Sequence, residues 1–372
     1  MENSFQLNQI KKMNSIRILL CFLIFQGAVY SCNIPVFRYA LEKWPGDGYI
    51  AIVLSEDELK GEGKQAFDFL MKYSMNESYA SNLESYHFTT ETLEKSEVLS
   101  WFSESPDLSK GPLLFVFPPR SARIKGAVWE TPLTLEAVEN VLYSPVRNEL
   151  ANEICSGTSG VWVLLESGDA EKDEAAWKVM QEAKVAINEH MVLPEGVVLS
   201  DGTVTGDGSI AYDPENELFS DIELKIDFKI KRIRRDADPF FTKTMIDMSD
   251  AGELSNEPLV FTLFGRGRAL DPMISEGINE DNLYFSAEYL CGACSCEVKS
   301  QNPGYDILML KNWEAAILGE DEEIDFNEFV KVEVLDVPAD EGSPDSAKII
   351  LLLTGVILLM LVVALGQRKS SL

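Results

Sequence analysis

Histidine is almost missing from this chain. His87 and His190 are the only two in 372 residues, which nearly excludes a histidine-built metal centre. Cysteine is scarce as well, six in all, and too thinly spread to staple a chain of this length as a disulfide scaffold. Positive charge falls short of negative: 32 Lys and Arg stand against 61 Asp and Glu, a formal net charge of -29. Such a surface repels nucleic acid and anionic lipid; it suits basic partners, loosely held cations or plain solubility. The sequence holds no phosphate-binding Gly-x-x-x-x-Gly-Lys loop, no Gly-x-Ser-x-Gly nucleophile elbow and no His-Glu-x-x-His pair.

Long apolar runs are confined to the ends. Residues Ile349 to Leu365 are uncharged, and their length of about 17 approaches the roughly 20 needed to cross a bilayer core. Only Thr354 and Gly355 soften the run, whereas a buried soluble helix normally keeps a polar stripe. Arg368 and Lys369 follow it and an acidic stretch precedes it, so the positive-inside rule puts the short tail in the cytoplasm. This predicts an acidic linker over 336–347, a transmembrane helix over 348–366 and a cytoplasmic tail over 367–372. At the other end, Ile16 to Val29 follows Lys11 and Lys12 in the layout of a signal peptide over 1–31, with Met13 as an alternative start. Val29-Tyr30-Ser31 before Cys32 suits ordinary cleavage and loosely resembles a lipobox. Cys32 is therefore a candidate for lipidation, for a disulfide, or for a small apolar packing residue. The expected location is the cell membrane, single-pass, with the bulk extracytoplasmic and, in a bacterium, periplasmic.

Between the ends the sequence repeats itself. Pro112-Leu113-Leu114-Phe115-Val116-Phe117 returns as Pro258-Leu259-Val260-Phe261-Thr262-Leu263, with Arg120 and Arg266 at matching offsets. An amphipathic helix follows each time, opening at Thr134 and near Asn279. Upstream, Pro35-Val36 and Pro145-Val146 each begin a helix that leads into an apolar strand. The first unit reads strand 49–54, helix 62–73, strand 84–89, strands 113–117 and 124–130, helix 133–143. The second reads strand 161–166, helix 172–186, an insertion over about 190–221, strand 222–232, helix 239–249, strand 258–264, helix 280–290. A parallel crossover followed by a strand pair predicts α/β domains, each a mixed sheet with helices on both faces.

Gly111 to Phe117, then Gly126-Ala127-Val128-Trp129 and the helix from Thr134, resemble the C-terminal half of a thioredoxin-fold domain. That resemblance covers 49–143, and more weakly 161–290. It implies two tandem thioredoxin-like domains, over 32–145 and 146–335, with cis-proline at Pro112 and Pro258. The chain is also similar to exported, membrane-anchored bacterial proteins that begin Cys-Asn-x-Pro-Val-Phe-Arg-Tyr-Ala-Leu, as residues 32–41 do here; this implies export but no activity.

Thioredoxin chemistry needs two cysteines where the first strand meets its helix, because the helix N-terminus stabilises the attacking thiolate. The matching stretches are Ser55-Glu56-Asp57-Glu58-Leu59 and Ser167-Gly168-Asp169-Ala170-Glu171, and neither contains cysteine. Their acidic residues are ordinary helix-start chemistry. The thiols cluster instead at Cys291, Cys294 and Cys296. Three readings stay open for them: a structural disulfide, a soft-metal site for Cu(I) or Zn(II), and a displaced redox centre. Lys229, Lys231, Arg232, Arg234 and Arg235 make a basic cluster that suits an acidic surface, its own or a partner's, or plain solvent. The expected role is an extracytoplasmic interaction or scaffold module, held by one C-terminal helix, with an envelope protein as partner and no nucleic acid. The competing role is thiol-disulfide or soft-metal handling at the cysteine cluster, and a weaker third is low-affinity calcium buffering.

Overall fold

The computed structural model describes residues 32–320, apart from 76–80, 123, 208–209, 211, 250 and 295–297. The signal peptide, Cys296, the linker, the transmembrane run and the cytoplasmic tail all lie outside the described residues. Among those described, no helix is long and apolar enough to cross a membrane. The chain clusters into two compact units, Met1–Glu322 and Glu323–Leu372, and every described residue belongs to the first.

That unit is α/β, with two mixed sheets and packed helices. Helix α1 (Val36–Lys43) opens it, then β1 (Tyr49–Ser55), α2 (Gly61–Lys72), β2 (Leu83–Thr89), α3 (Thr90–Glu94), β3 (Leu113–Phe117), β4 (Trp129–Pro132) and α4 (Leu135–Leu142). The first sheet has the order β2-β1-β3-β4. β2 runs parallel to β1, while β3 and β4 are antiparallel. β1 is apolar and buried nearly throughout, as a central strand covered on both faces must be. α2 and α4 pack against each other. On the other face Phe102 stands edge-on to Phe115 and Phe117, at 5.0 and 5.4 Å.

The second sheet repeats this order. Helix α5 (Pro145–Cys155) leads into β5 (Gly160–Leu165), α6 (Ala170–His190), β6 (Phe228–Ile233), α7 (Pro239–Met248), β7 (Leu259–Phe264), β8 (Arg268–Ala269), β9 (Met273–Ile274), α8 (Glu280–Cys291), β10 (Tyr305–Asp306) and α9 (Trp313–Leu318). β6 is parallel to β5, β7 is antiparallel to it, and β8 and β9 both pair with β7. The closing helices start where their caps dictate: Thr134 accepts from the Ala137 amide and Asn279 from the Asn282 amide, at 3.1 and 2.9 Å.

Several expected elements shift. β4 begins at Trp129 rather than 124, because Gly126 turns the chain at φ +86 and pairing resumes at the Val128 amide, which donates to Val116 O. β6 begins at Phe228 rather than 222, since Ser159 takes over its approach: the Ser159 hydroxyl donates to Lys225 O and accepts from the Asp227 amide. The second unit's fourth strand is split between β8 and β9. The cis-proline expectation is corrected: no peptide bond is cis among the described residues, so Pro112 and Pro258 follow trans bonds, the form an X-Pro bond favours by about 0.5–1 kcal/mol.

The two preceding helices have different fates. α5 buries one face, Arg147, Leu150, Ala151 and Ile154, and packs on β5 of its own sheet. α1 buries every residue from Val36 to Glu42 and docks on α8 and β7 of the second sheet. Its Val36, Phe37, Tyr39 and Ala40 join Trp162, Leu164, Val260, Phe264, Met180 and Leu290 in one core. Full burial of each such side chain is worth about 1.5–3 kcal/mol. Arg38 and Glu42 form an ion pair at 2.9 Å with both side chains wholly buried. Glu42 also accepts from the Phe219 amide (2.6 Å) and the Ser220 hydroxyl (2.8 Å), and Arg38 donates to Ile222 O (2.5 Å). The insertion is thereby fastened to α1. Finally the buried stretch Tyr305 to Leu310 joins both sheets: Asn82 donates to Ile307 O and accepts from the Met309 amide, while the Ile307 amide donates to Gly267 O.

Candidate functional site

The strand-to-helix loops that follow β1 and β5 hold no cysteine. β1 ends at Ser55, whose hydroxyl donates to Asp57 O at 2.5 Å and lies 2.7 Å from His87 Nε2. With its proton committed to that carbonyl, the serine oxygen accepts from Nε2–H, which fixes the imidazole tautomer. This polarity is the reverse of the one that activates a serine nucleophile. Burial pushes the His87 pKa down, against the raising effect of Glu58. Beside the loop a cavity of about 560 Å³ is lined by Glu56, Asp57, Glu58, Glu62 and Pro112, so the structure brings Ser55–Leu59 and Pro112 together. In the second half Asp173, almost wholly buried, closes the equivalent loop. It accepts from the Ser167 amide and hydroxyl, both at 2.8 Å, and from the Gly168 amide at 3.0 Å. A cavity of about 330 Å³ lies beside Lys172, Val179, Pro258 and Ile278. Oxygen atoms hold both loops where a redox site would hold sulfur.

The thiols lie elsewhere and deep. Cys32, Cys291 and Cys294 all belong to the core around Trp162 and Leu290. A short antiparallel contact aligns their segments: the Val36 amide donates to Gly292 O at 3.0 Å and the Cys294 amide to Ile34 O at 2.9 Å, with Pro35 opposite Ala293. Burial pushes the Cys291 thiol up to about 12. Thiolate is the nucleophile and the metal ligand, and burial disfavours it at Cys291. The Cys32 side chain is buried at the start of the described residues. Cys155, half-buried at the end of α5, is not part of this core. Among the described residues no three His, Cys, Asp or Glu side chains are placed to hold a metal ion.

The basic cluster of β6 meets the protein's own acids. Lys229 pairs with Asp227, Lys231 with Glu149 and Glu153, Arg232 with Glu166 and Glu174, and Arg234 with Asp236. Arg235 donates instead to the carbonyls of Glu166, Ser255 and Glu257.

A large concavity lies between the sheets. It encloses about 990 Å³ and is bordered by the segments 45–48, 118–122 and 298–305. Three of its lining residues, Asp47, Arg268 and Lys299, belong to an ion network with the buried Asp306: Arg268 pairs with Asp306 at 2.9 Å, Lys299 with Asp306 and with Asp47 at 2.8 Å, and Arg268 approaches Asp47 at 3.9 Å. Burial works to raise the Asp47 pKa, but the Lys299 and Ser121 hydrogen bonds outweigh it and hold the carboxyl below its ordinary value. Arg268 sits 5.8 Å over the Trp44 ring. Asp47, Lys299, Tyr305 and Asp306 carry no motif, for Asp47 lies some 250 residues from the other three.

No known family model matches the chain, and no curated protein matches it. The fold and these sites define an α/β protein of two mixed sheets with an inter-sheet cleft.

Proposed function

We propose that each half is a thioredoxin-like domain without the catalytic cysteine pair, and that the protein is a non-catalytic interaction or scaffold module. The repeated strand order, with one parallel neighbour and an antiparallel pair closing each sheet, supports the fold assignment. One observation carries the role: both loops that would hold redox cysteines are closed by oxygen ligands, from Ser55 with His87 and from Asp173, while the Cys291 thiol is buried and its pKa raised. The apolar run Ile349 to Leu365 and the acidic stretch before it support a membrane anchor that presents the module outside the cytoplasm to an envelope protein.

Turnover of a disulfide substrate by the purified chain, with thiol counting before and after reductant and metal analysis of the same sample, tests this reading. An inert cluster and no turnover support it; a redox-active or Cu(I)- or Zn(II)-loaded cluster replaces it with thiol or metal handling. A reporter fused after Ser343 tests the topology: a cytoplasmic signal removes the extracytoplasmic placement.

A further inference from the structure

β6 is the terminal strand of the second sheet, bonded to β5 along one side only. The Asp227 and Ile233 carbonyls face that side, accepting from the Ser159 and Glu166 amides at 3.0 Å each, whereas the Phe228 amide turns away and donates to Asn188 Oδ1 at 3.0 Å. Backbone groups alternate along a strand, so those of Lys229 and Lys231 also face β5. The N–H and C=O of Ile230 and Arg232 therefore point outward, and none of the four is hydrogen-bonded among the described residues. Buried backbone groups are almost always paired; Ile230 is half-buried and Arg232 exposed, which leaves this row open to water.

An open row of this kind is a template for another strand. Proteins commonly blunt one with charged side chains, lysine above all, but the cations of β6 are held by the protein's own acids. Lys231 is drawn to Glu149 and Glu153 of α5, and Arg232 to Glu166 and to Glu174 of α6. With the Lys229–Asp227 pair, three cations along the strand meet five carboxylates, so the edge is negative by two charges. Carrying the count on through Arg234, Arg235 and Asp236 leaves it negative still. Glu149 and Glu174 are 61 % and 67 % exposed and are free to turn toward an incoming cation.

We propose that β6 docks an extended, lysine- or arginine-rich strand of a partner protein, which continues the second sheet beyond its edge. The added strand exchanges main-chain hydrogen bonds with Ile230 and Arg232. Its alternate side chains lie beside Ile230, which packs on the core of this half, and beside Lys231, and its cations neutralise Glu149 and Glu174. A second copy of this chain is the poorer occupant, because each copy carries a formal net charge of -29. The proposal deepens the interaction reading and rests on it for the existence of a partner; that reading is tested at the thiol cluster and this one at the edge, so the two fail separately.

Hydrogen exchange of the full chain, read amide by amide with and without an end-blocked heptapeptide of alternating lysine and valine, is the test. In the free chain the Ile230 and Arg232 amides exchange faster than those of Lys229 and Lys231, and the peptide slows the first two about tenfold or more. The same peptide methylated on two adjacent central backbone nitrogens keeps its charge but lacks an N–H in either facing; it binds about fivefold more weakly, the scale of one backbone hydrogen bond. A glutamate–valine counterpart does not bind, and Glu149→Gln combined with Glu174→Gln weakens the lysine peptide about threefold, the scale of exposed ion pairs. No slowing at Ile230 and Arg232 with millimolar lysine peptide, equal binding of the methylated peptide, or equal binding of the glutamate peptide overturns the proposal. Slowing of these two amides as the chain alone is concentrated also overturns it, by assigning the edge to a second copy.

Discussion

The two halves share a strand order but not a way of being completed. In the first, the sheet is covered by its own following elements: α2 and α4 on one face, and the Trp101, Phe102 and Leu93 cluster on the other. In the second, the core is finished by α1 from the far end of the chain, with the Arg38–Glu42 pair buried under it. The same Pro-Val helix start, at Pro35 and Pro145, leads to a helix enclosed all round in one place and half-exposed in the other. What differs is the receiving surface: α1 meets the inner face of the second sheet, the insertion at 219–222 and Arg266, whose Nε donates to Leu41 O at 2.8 Å. A repeat in sequence thus specifies an element and leaves its docking partner open.

Removing Glu42 strikes this difference hardest. Glu42→Ala leaves Arg38 buried and uncompensated, so denaturant titration reads a loss of about 3–5 kcal/mol. Amide exchange rises first in β5 and β7; an equal rise in β1 and β3 breaks the claim that α1 serves the second half. Next, Gly265→Ala places a Cβ 2.7 Å from the Ala40 Cβ at φ +57, costing about 2–4 kcal/mol from strain and overpacking together. Gly126→Ala in the first half, with nothing within 4 Å at φ +86, costs about 1–2 kcal/mol from strain alone. Equal melting temperatures for these two variants end the docking argument.

The loops at the strand ends offer a gentler contrast. Asp173→Asn weakens three hydrogen bonds to a buried carboxylate and costs about 1.5–3 kcal/mol, whereas Ser55→Ala removes neutral bonds and costs about 1. Equilibrium unfolding of both variants checks the order. The smallest effect is His87. Its folded pKa lies below the ordinary 6.5, so the unfolded chain takes up the proton more readily. Stability is whole above 6.5 and declines slightly as pH falls below it; His87→Gln flattens that slope, and an unchanged slope assigns it to other groups.

Much of the fold was legible because local rules and tertiary outcome agree. The β1, β3, β5 and β7 runs are too apolar to lie anywhere but mid-sheet, and Thr134 and Asn279 cap helices where their side chains can reach the third amide. Legibility failed where a distant partner decides. β6 reads as a long alternating strand from 222, but Ser159 claims the backbone at Lys225 and Asp227 first. The cysteine spacing at 291–294 suggests a reactive site, while the core around Leu290 and Trp162 buries Cys291 and disfavours its thiolate. Asp47 and Asp306 look like any polar residues in sequence, and the ion network they form with Arg268 and Lys299 exists only once both sheets are assembled.

The sequence by itself determined the strands, the helices, their caps and the absence of cysteine from both loops, because propensity, periodicity and capping act over a few residues. Only the tertiary structure decided where α1 docks, which thiols are buried, and which charges meet in the cleft. Those outcomes depend on desolvation and packing between segments that the chain order keeps far apart.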